Sequence, residues 1–407
     1  MNGKAPMQNS KIPGMKILYY CPEYYCNYGA RAHARGFYNA LQLLPNVTKT
    51  YLYPEDQPQD YSQGVQNKKR KRRKLWFLPL VIERTIRYFW PKRVLTRTLI
   101  SRIKTCGCDA VVIRTGSNQP SFRQIKKACP DATICLEINA ADFDEAFPGL
   151  PLKPMFQRWE VRRYDQADAI NVVSSYLKKY LEKYSVRSGK ILVNQNGVST
   201  ETVDLDALGN VRDTYNIPES AFVLGYVGGM EPFRRLPEVI SYIAEMRRDG
   251  NEDVYLLIVG DGADMRSAQA TIEAEGDVLK DSVKLTGWQD HAVIPTFLNT
   301  FDLAIFPFTN DYCSPLKLFE YLGAGLAAIG PDTSAVREVF EDGVHLKLVN
   351  QDGSDFISTV LELKNNSRMR SELGTKGRKL VLSEYTWNKN AERVVQHIQD
   401  IKTLLSR

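Results

Sequence analysis

Two side chains three residues apart, Lys317 and Glu320, define the chemistry this chain is equipped for. They fall in the stretch from Asp311 to Gly325, between an apolar run at 301–308 and a second one at 326–329 that ends in the turn signal Gly330-Pro331. Such punctuation predicts a strand, a loop, a short helix and a strand. Ser314 is expected to cap that helix, with Pro315 at its first position, where a missing N–H costs nothing. Gly323 and Gly325 suit its end. On a helix, positions i and i+3 share a face, so Lys317 and Glu320 stand one above the other. A cation, a carboxylate and the free N–H groups of a helix start can together hold a diphosphate and a sugar hydroxyl.

Other candidates lie at strand ends. Glu137 and Asn139 close an apolar, β-branched run that begins at Ala132, and the carboxyl ends of strands are where open α/β sheets bind ligands. Gly29 opens a helix after the first strand and lets backbone approach a ligand there; an ordinary tight turn explains a single glycine equally well. The four histidines are dispersed, and His33, on the first helix, reads as packed or exposed rather than catalytic. Seven scattered cysteines, with Cys106-Gly-Cys108 too tightly spaced for a zinc site, read as reduced thiols of a cytosolic protein.

The elements that position these residues repeat one plan. Met15–Tyr20, 47–53, 108–113, 132–139, 169–173 and 191–193 read as strands with helices between them. After a polar connection at 198–220 the pattern restarts with strands at 222–227, 254–259, 283–285, 303–306, 326–329 and 346–349. Strands alternating with helices predict parallel sheets covered on both faces. The expected fold class is therefore α/β, with two doubly wound, Rossmann-like domains facing across a cleft. Residues 1–14 form a loose tail, 15–197 the first domain and 198–387 the second. The last helix, at 388–407, is anchored by Trp387.

A chain of 407 residues with 43% hydrophobic and 25% charged residues suits two soluble domains. No apolar run reaches the roughly 18 residues of a membrane span. The net charge of +7 is uneven: residues 67–104 hold fourteen Lys and Arg against Glu83 alone, so the rest is net acidic. Within that segment Lys68, Lys69, Arg70, Lys71, Arg72, Arg73 and Lys74 run into an apolar stretch containing Trp76 and Phe77. Cations beside interfacial aromatics suit an anionic membrane surface. A solvated charge run and a nucleic-acid patch are the competing readings, the second disfavoured here.

Taken in order, Gly225-Tyr-Val-Gly-Gly229, Leu256-Leu-Ile-Val-Gly-Asp-Gly262, Leu285-Thr-Gly287, 301–307 and 314–325 resemble the second domain of GT-B glycosyltransferases of the retaining family 4, also called glycosyl transferases group 1. The stretches 136–140, 167–174 and 194–198 extend the likeness into the first half. Each motif is weak alone; the ordered set, spanning roughly 15–400, is specific. The resemblance implies the GT-B fold, with the last helix, at 388–407, returning to complete the first domain, and transfer of a sugar from a UDP- or GDP-linked donor to a lipid-linked saccharide or glycan. It also implies no metal or other cofactor, and a site in surface polysaccharide or glycoconjugate synthesis, peripheral to the cytoplasmic membrane face. Glu320 would bind the ribose hydroxyls; Gly29, Arg234, Arg235 and Lys317 the donor diphosphate; Gly287 and Trp288 would line the nucleobase; Asn139 and Glu137 would border the reacting carbon. Two family positions are altered: Gly229 stands where the first diphosphate arginine is usual, and Tyr312 where a sugar-contacting glutamate is usual. Those losses leave a second reading, a catalytically lapsed scaffold that binds nucleotide or polyanion.

Overall fold

The computed structural model describes residues 14–26, 30–55, 85, 88–116, 119–141, 147, 153–199 and 210–406. Gly29, the cationic run 68–74, Trp76 and Phe77, most of the expected tail, and 200–209 lie outside these residues.

The first sheet holds β1 (Met15–Tyr20), β2 (Val47–Tyr53), β3 (Ala110–Arg114), β4 (Thr133–Ile138), β5 (Ala169–Val172) and β6 (Ile191–Val193), in the order β2-β1-β3-β4-β5-β6. The second holds β7 (Phe222–Val227), β8 (Val254–Val259), β9 (Val283–Leu285), β10 (Leu303–Ile305), β11 (Ala328–Pro331) and β12 (Lys347–Val349), in the order β12-β11-β10-β7-β8-β9. All pairings are parallel. Helices cover both faces, so β4 and β7 are buried along their whole length and read as continuous apolar runs. The strand order reverses between β1 and β3 in one sheet and between β7 and β10 in the other. Crevices for ligands open at such switch points, beyond the strands' carboxyl ends.

The last helix, Trp387–Leu405, packs on the first domain. Its Val394, Val395 and Ile398 share a buried cluster with Ile17 and Tyr19 of β1 and Phe37 of the helix Ala30–Leu43. Trp387 is buried against that helix, and its ring lies 4.8 Å from the His33 ring. Gly36 makes the approach possible, because a Cβ there would run into the indole. The end of the first domain is wired to this helix: Asn390 Nδ2 donates to the Gln195 carbonyl at 2.7 Å, and Asn194 Nδ2 donates to the Asn390 carbonyl at 3.1 Å.

Several local expectations shift. The helix expected to begin at Pro315 begins at Leu316, and Pro315 takes the capping position without a side-chain cap. Ser314 instead faces the other domain: Asn196 Nδ2 donates to its carbonyl at 2.6 Å. After β11, Thr333 caps a single turn of helix, Ser334–Arg337. All seven cysteines are free.

Candidate functional site

The helix Leu316–Gly323 is held against the end of β7 by Tyr321, whose buried hydroxyl accepts from the Val227 N–H at 2.7 Å. Leu318, Phe319 and Leu322 are buried with it in the second-domain core. Burying that face turns Lys317 and Glu320 toward the cleft, as their spacing predicts. Lys317 Nζ lies 2.6 Å from Glu320 Oε2, and His291 Nε2 stands 3.9 Å from Glu320 Oε1. Burial raises the Glu320 carboxyl, but Lys317 and His291 outweigh it and lower the carboxyl to about 2. The result is a carboxylate with one oxygen engaged by a lysine and the other turned toward a half-buried histidine. Such an oxygen suits neighbouring hydroxyl donors.

Lys317 and His291 border a pocket whose walls include Val227, Gly228 and Gly229 after β7, Gly260 and Asp261 after β8, and Trp288. Arg31 and Ala32 of the helix Ala30–Leu43 close it from the first domain. Gly260 is required here: its φ is +152°, and a Cβ would strike the Gly228 carbonyl. That close approach leaves backbone, not side chain, as the pocket floor. Gly287 sits behind it, its carbonyl accepting from the Gly260 N–H at 3.0 Å. Trp288 is half exposed on the rim.

The two arginines expected to clamp a diphosphate do otherwise. Arg235 has a left-handed backbone, with φ 51°. Its guanidinium lies 4.0 Å over the Phe308 ring, pairs with Glu238 and donates to the Gln351 carbonyl. Arg234 lies 4.2 Å over the Phe306 ring and donates to Thr309 Oγ1 at 2.6 Å. Both are engaged in fastening the segment after β10, and neither lines the pocket.

Glu137 also departs from its expected place beside a reacting atom. It is 1% exposed and lies beneath the cleft of the first domain. Tyr19 Oη donates to Oε2 at 2.9 Å, Asn139 Nδ2 donates to Oε1 at 2.7 Å, His33 Nε2 lies 2.8 Å from Oε1, and Arg114 pairs with the same oxygen. Burial raises its carboxyl, yet His33 and Arg114 hold it well below the usual carboxylate range. A buried carboxylate so enclosed orients its neighbours. Asn139 is the member nearer the surface, and its Oδ1 is buried with no hydrogen-bond partner among the described residues. Of the two readings open to it, His33 is packed and not exposed, and it also joins the halves of the molecule. Its Nδ1 lies 2.8 Å from Asn196 Oδ1, and Asn196 holds Ser314 just ahead of the helix Leu316–Gly323.

Tyr312, at the position of the missing glutamate, bridges the domains: its carbonyl accepts from Ser174 Oγ at 2.9 Å. Arg31 and His291 escape the reading by motif. Arg31 follows Gly29 by two residues, a signal visible only once the helix start is placed at the cleft. His291 is a lone histidine with no spacing partner in sequence.

Comparison with known proteins agrees with this frame. Residues 221–366 match the family model described as Glycosyl transferases group 1. The chain is 24% identical over 311 residues to the lipopolysaccharide 1,2-N-acetylglucosaminetransferase of Salmonella typhimurium, covering 75% of this chain and 76% of that protein. A glycosyltransferase structure from Rickettsia africae superposes with a TM-score of 0.70 at 14% identity, over 95% of this chain and 98% of that one. Anabaena HepE, solved in complex with UDP, superposes with a TM-score of 0.67 at 14% identity, over 95% of this chain and 100% of that one. The chain has the GT-B fold, two six-stranded parallel sheets across a cleft, and its second domain matches the glycosyl transferases group 1 model.

Proposed function

We propose that this protein is a retaining, metal-independent glycosyltransferase of family 4. In this reading it moves a sugar from a UDP- or GDP-linked donor to a lipid-linked saccharide or glycan, in the synthesis of a surface polysaccharide or glycoconjugate. The observation that carries the reading is the Glu320 carboxylate, 14% exposed and 2.6 Å from Lys317, on a cleft lined by the glycine backbone after β7 and β8. It is supported by the match over 221–366 and by a relative that transfers N-acetylglucosamine to lipopolysaccharide.

Glu320 accepts the ribose hydroxyls and Lys317 meets the diphosphate. Charge that grows on the departing nucleoside diphosphate is stabilised by fixed cations and N–H dipoles. The acceptor hydroxyl attacks the anomeric carbon on the face the diphosphate leaves. The carbon–oxygen bond to the diphosphate breaks, the bond to the acceptor oxygen forms, and the proton passes to the leaving phosphate. Asn139 borders that carbon, steadied by Glu137 beneath it. Gly287 and Trp288 flank the base, and the segment 67–104 rests on the anionic cytoplasmic face of a membrane.

The test is release of nucleoside diphosphate from UDP- and GDP-sugars with a membrane extract as acceptor, with chelator present throughout. Release that disappears in Glu320→Ala is the expected result. No release from any common donor overturns the reading and leaves a nucleotide-binding scaffold.

A further inference from the structure

The pocket beside Glu320 is poorly provided with cations from its own domain. Lys317 is tied to Glu320 at 2.6 Å, and Asp261 adds a second carboxylate to the wall. Gly229 contributes no side chain, and Arg234 and Arg235 are committed to Thr309 and Glu238. On these residues alone the pocket has no surplus positive charge with which to hold a diphosphate. The surplus comes from the opposite wall. Arg31 lines the same pocket from the first turn of the helix Ala30–Leu43, and it makes no ion pair or hydrogen bond among the described residues. Its neighbour Ala32 lines the pocket too, so the start of that helix borders the same space, and a helix start favours an anion.

We propose that Arg31 is the diphosphate-binding arginine of this protein, supplied across the cleft by the first domain in place of the side chain that Gly229 lacks. The inference rests on the nucleotide-sugar reading above. A guanidinium presents a planar fork of donors that matches two phosphate oxygens, and it stays charged at any working pH. Because Arg31 and Lys317 belong to different domains, the diphosphate is the ligand that draws the cleft together. Nucleoside alone, held through ribose and base by the second domain, has no use for Arg31.

The proposal is tested by calorimetric titration of UDP, GDP and the parent nucleosides into the full-length protein and its variants. Arg31→Ala is expected to weaken nucleoside diphosphate binding at least tenfold while leaving nucleoside binding within twofold. Gly229→Arg placed in the Arg31→Ala protein is expected to recover at least a third of the lost binding free energy. A Cβ at Gly229 meets only the Glu231 side chain, at 3.7 Å, so the added side chain has room. Diphosphate binding within twofold of the parent in Arg31→Ala overturns the proposal and leaves the nucleotide reading intact. Equal weakening of nucleoside and diphosphate also overturns it, because it shows a general loss of structure. If the unaltered protein binds neither UDP nor GDP, the nucleotide reading itself fails, and this assignment with it.

Discussion

Lys317 Nζ and Glu320 Oε2 lie 2.6 Å apart on one face of the helix Leu316–Gly323, with His291 closing the other side of the carboxylate. The lysine has two tasks in this arrangement. It holds the carboxylate ionised in a buried site, and it presents positive charge to the pocket. The two residues are separable by ligand. Glu320→Gln is expected to weaken nucleoside and nucleoside diphosphate binding alike, since both carry the ribose. Lys317→Met is expected to weaken the diphosphate more than the nucleoside, which loses only the lysine's hold on the carboxylate. Hydrogen bonds to charged groups contribute roughly 1.5–3 kcal/mol, so each loss falls at about ten- to a hundredfold in Kd by calorimetry. Identical loss profiles for the two variants would remove the division of labour.

Glu137 is expected to matter to stability before it matters to catalysis. Removing one partner of a buried ion pair strands the other charge, at about 3–5 kcal/mol. Glu137→Gln, which leaves Arg114 only the more distant Glu23 carboxylate at 3.8 Å, is expected to lose stability toward the lower end of that range in urea unfolding.

The same carboxyl sets a pH dependence. Its folded form titrates well below the ordinary 4.5, so its contribution is complete above about pH 4.5 and is lost as the pH falls below that value. Urea midpoints of the parent protein are expected to drop between pH 5 and 3, and those of Glu137→Gln to drop less over the same interval. Parallel curves would show that Glu137 is not the group responsible.

Trp387 ties the end of the chain to its beginning through Gly36 and His33. Large-to-small changes at buried aromatics cost about 3–5 kcal/mol. Trp387→Ala is expected to lower stability by that amount and to expose the last helix to proteolysis. Gly36→Ala is expected to act in the same direction, by pushing the indole out of place. A Trp387→Ala protein as protease-resistant as the parent would show that the helix docks without its anchor.

The cationic run 68–74 is expected to bind anionic vesicles. Each cation near such a surface contributes about 1 kcal/mol, so seven give reversible attachment. Replacing all seven with Gln is expected to abolish co-flotation with vesicles containing phosphatidylserine while leaving nucleotide binding unchanged. Absence of flotation by the parent protein would reject the membrane surface.

The amino-acid order by itself determined the strand plan. Apolar, β-branched runs buried on both faces are legible without context, and β1, β2, β6, β7, β8 and β9 have the bounds their residues predict. It also determined that Lys317 and Glu320 meet, because i and i+3 on a helix are neighbours whatever surrounds them. Helix starts were less legible: Pro315 takes the capping position expected of Ser314, whose carbonyl is held by Asn196 of the other domain.

Only the tertiary structure decided which charges face the cleft. Arg234 and Arg235 carry the right charge at a family-like position, yet the nearby rings of Phe306 and Phe308 and the carboxylate of Glu238 hold them elsewhere. Glu137 sits at a strand end, as a cleft residue would, yet His33 and Arg114, distant in the chain, enclose it. Arg31 and His291 reach the pocket from segments 260 positions apart, a separation at which sequence spacing carries no information. A side chain's partners in space set whether its charge is available, and those partners are fixed when the sheets pack and the last helix docks.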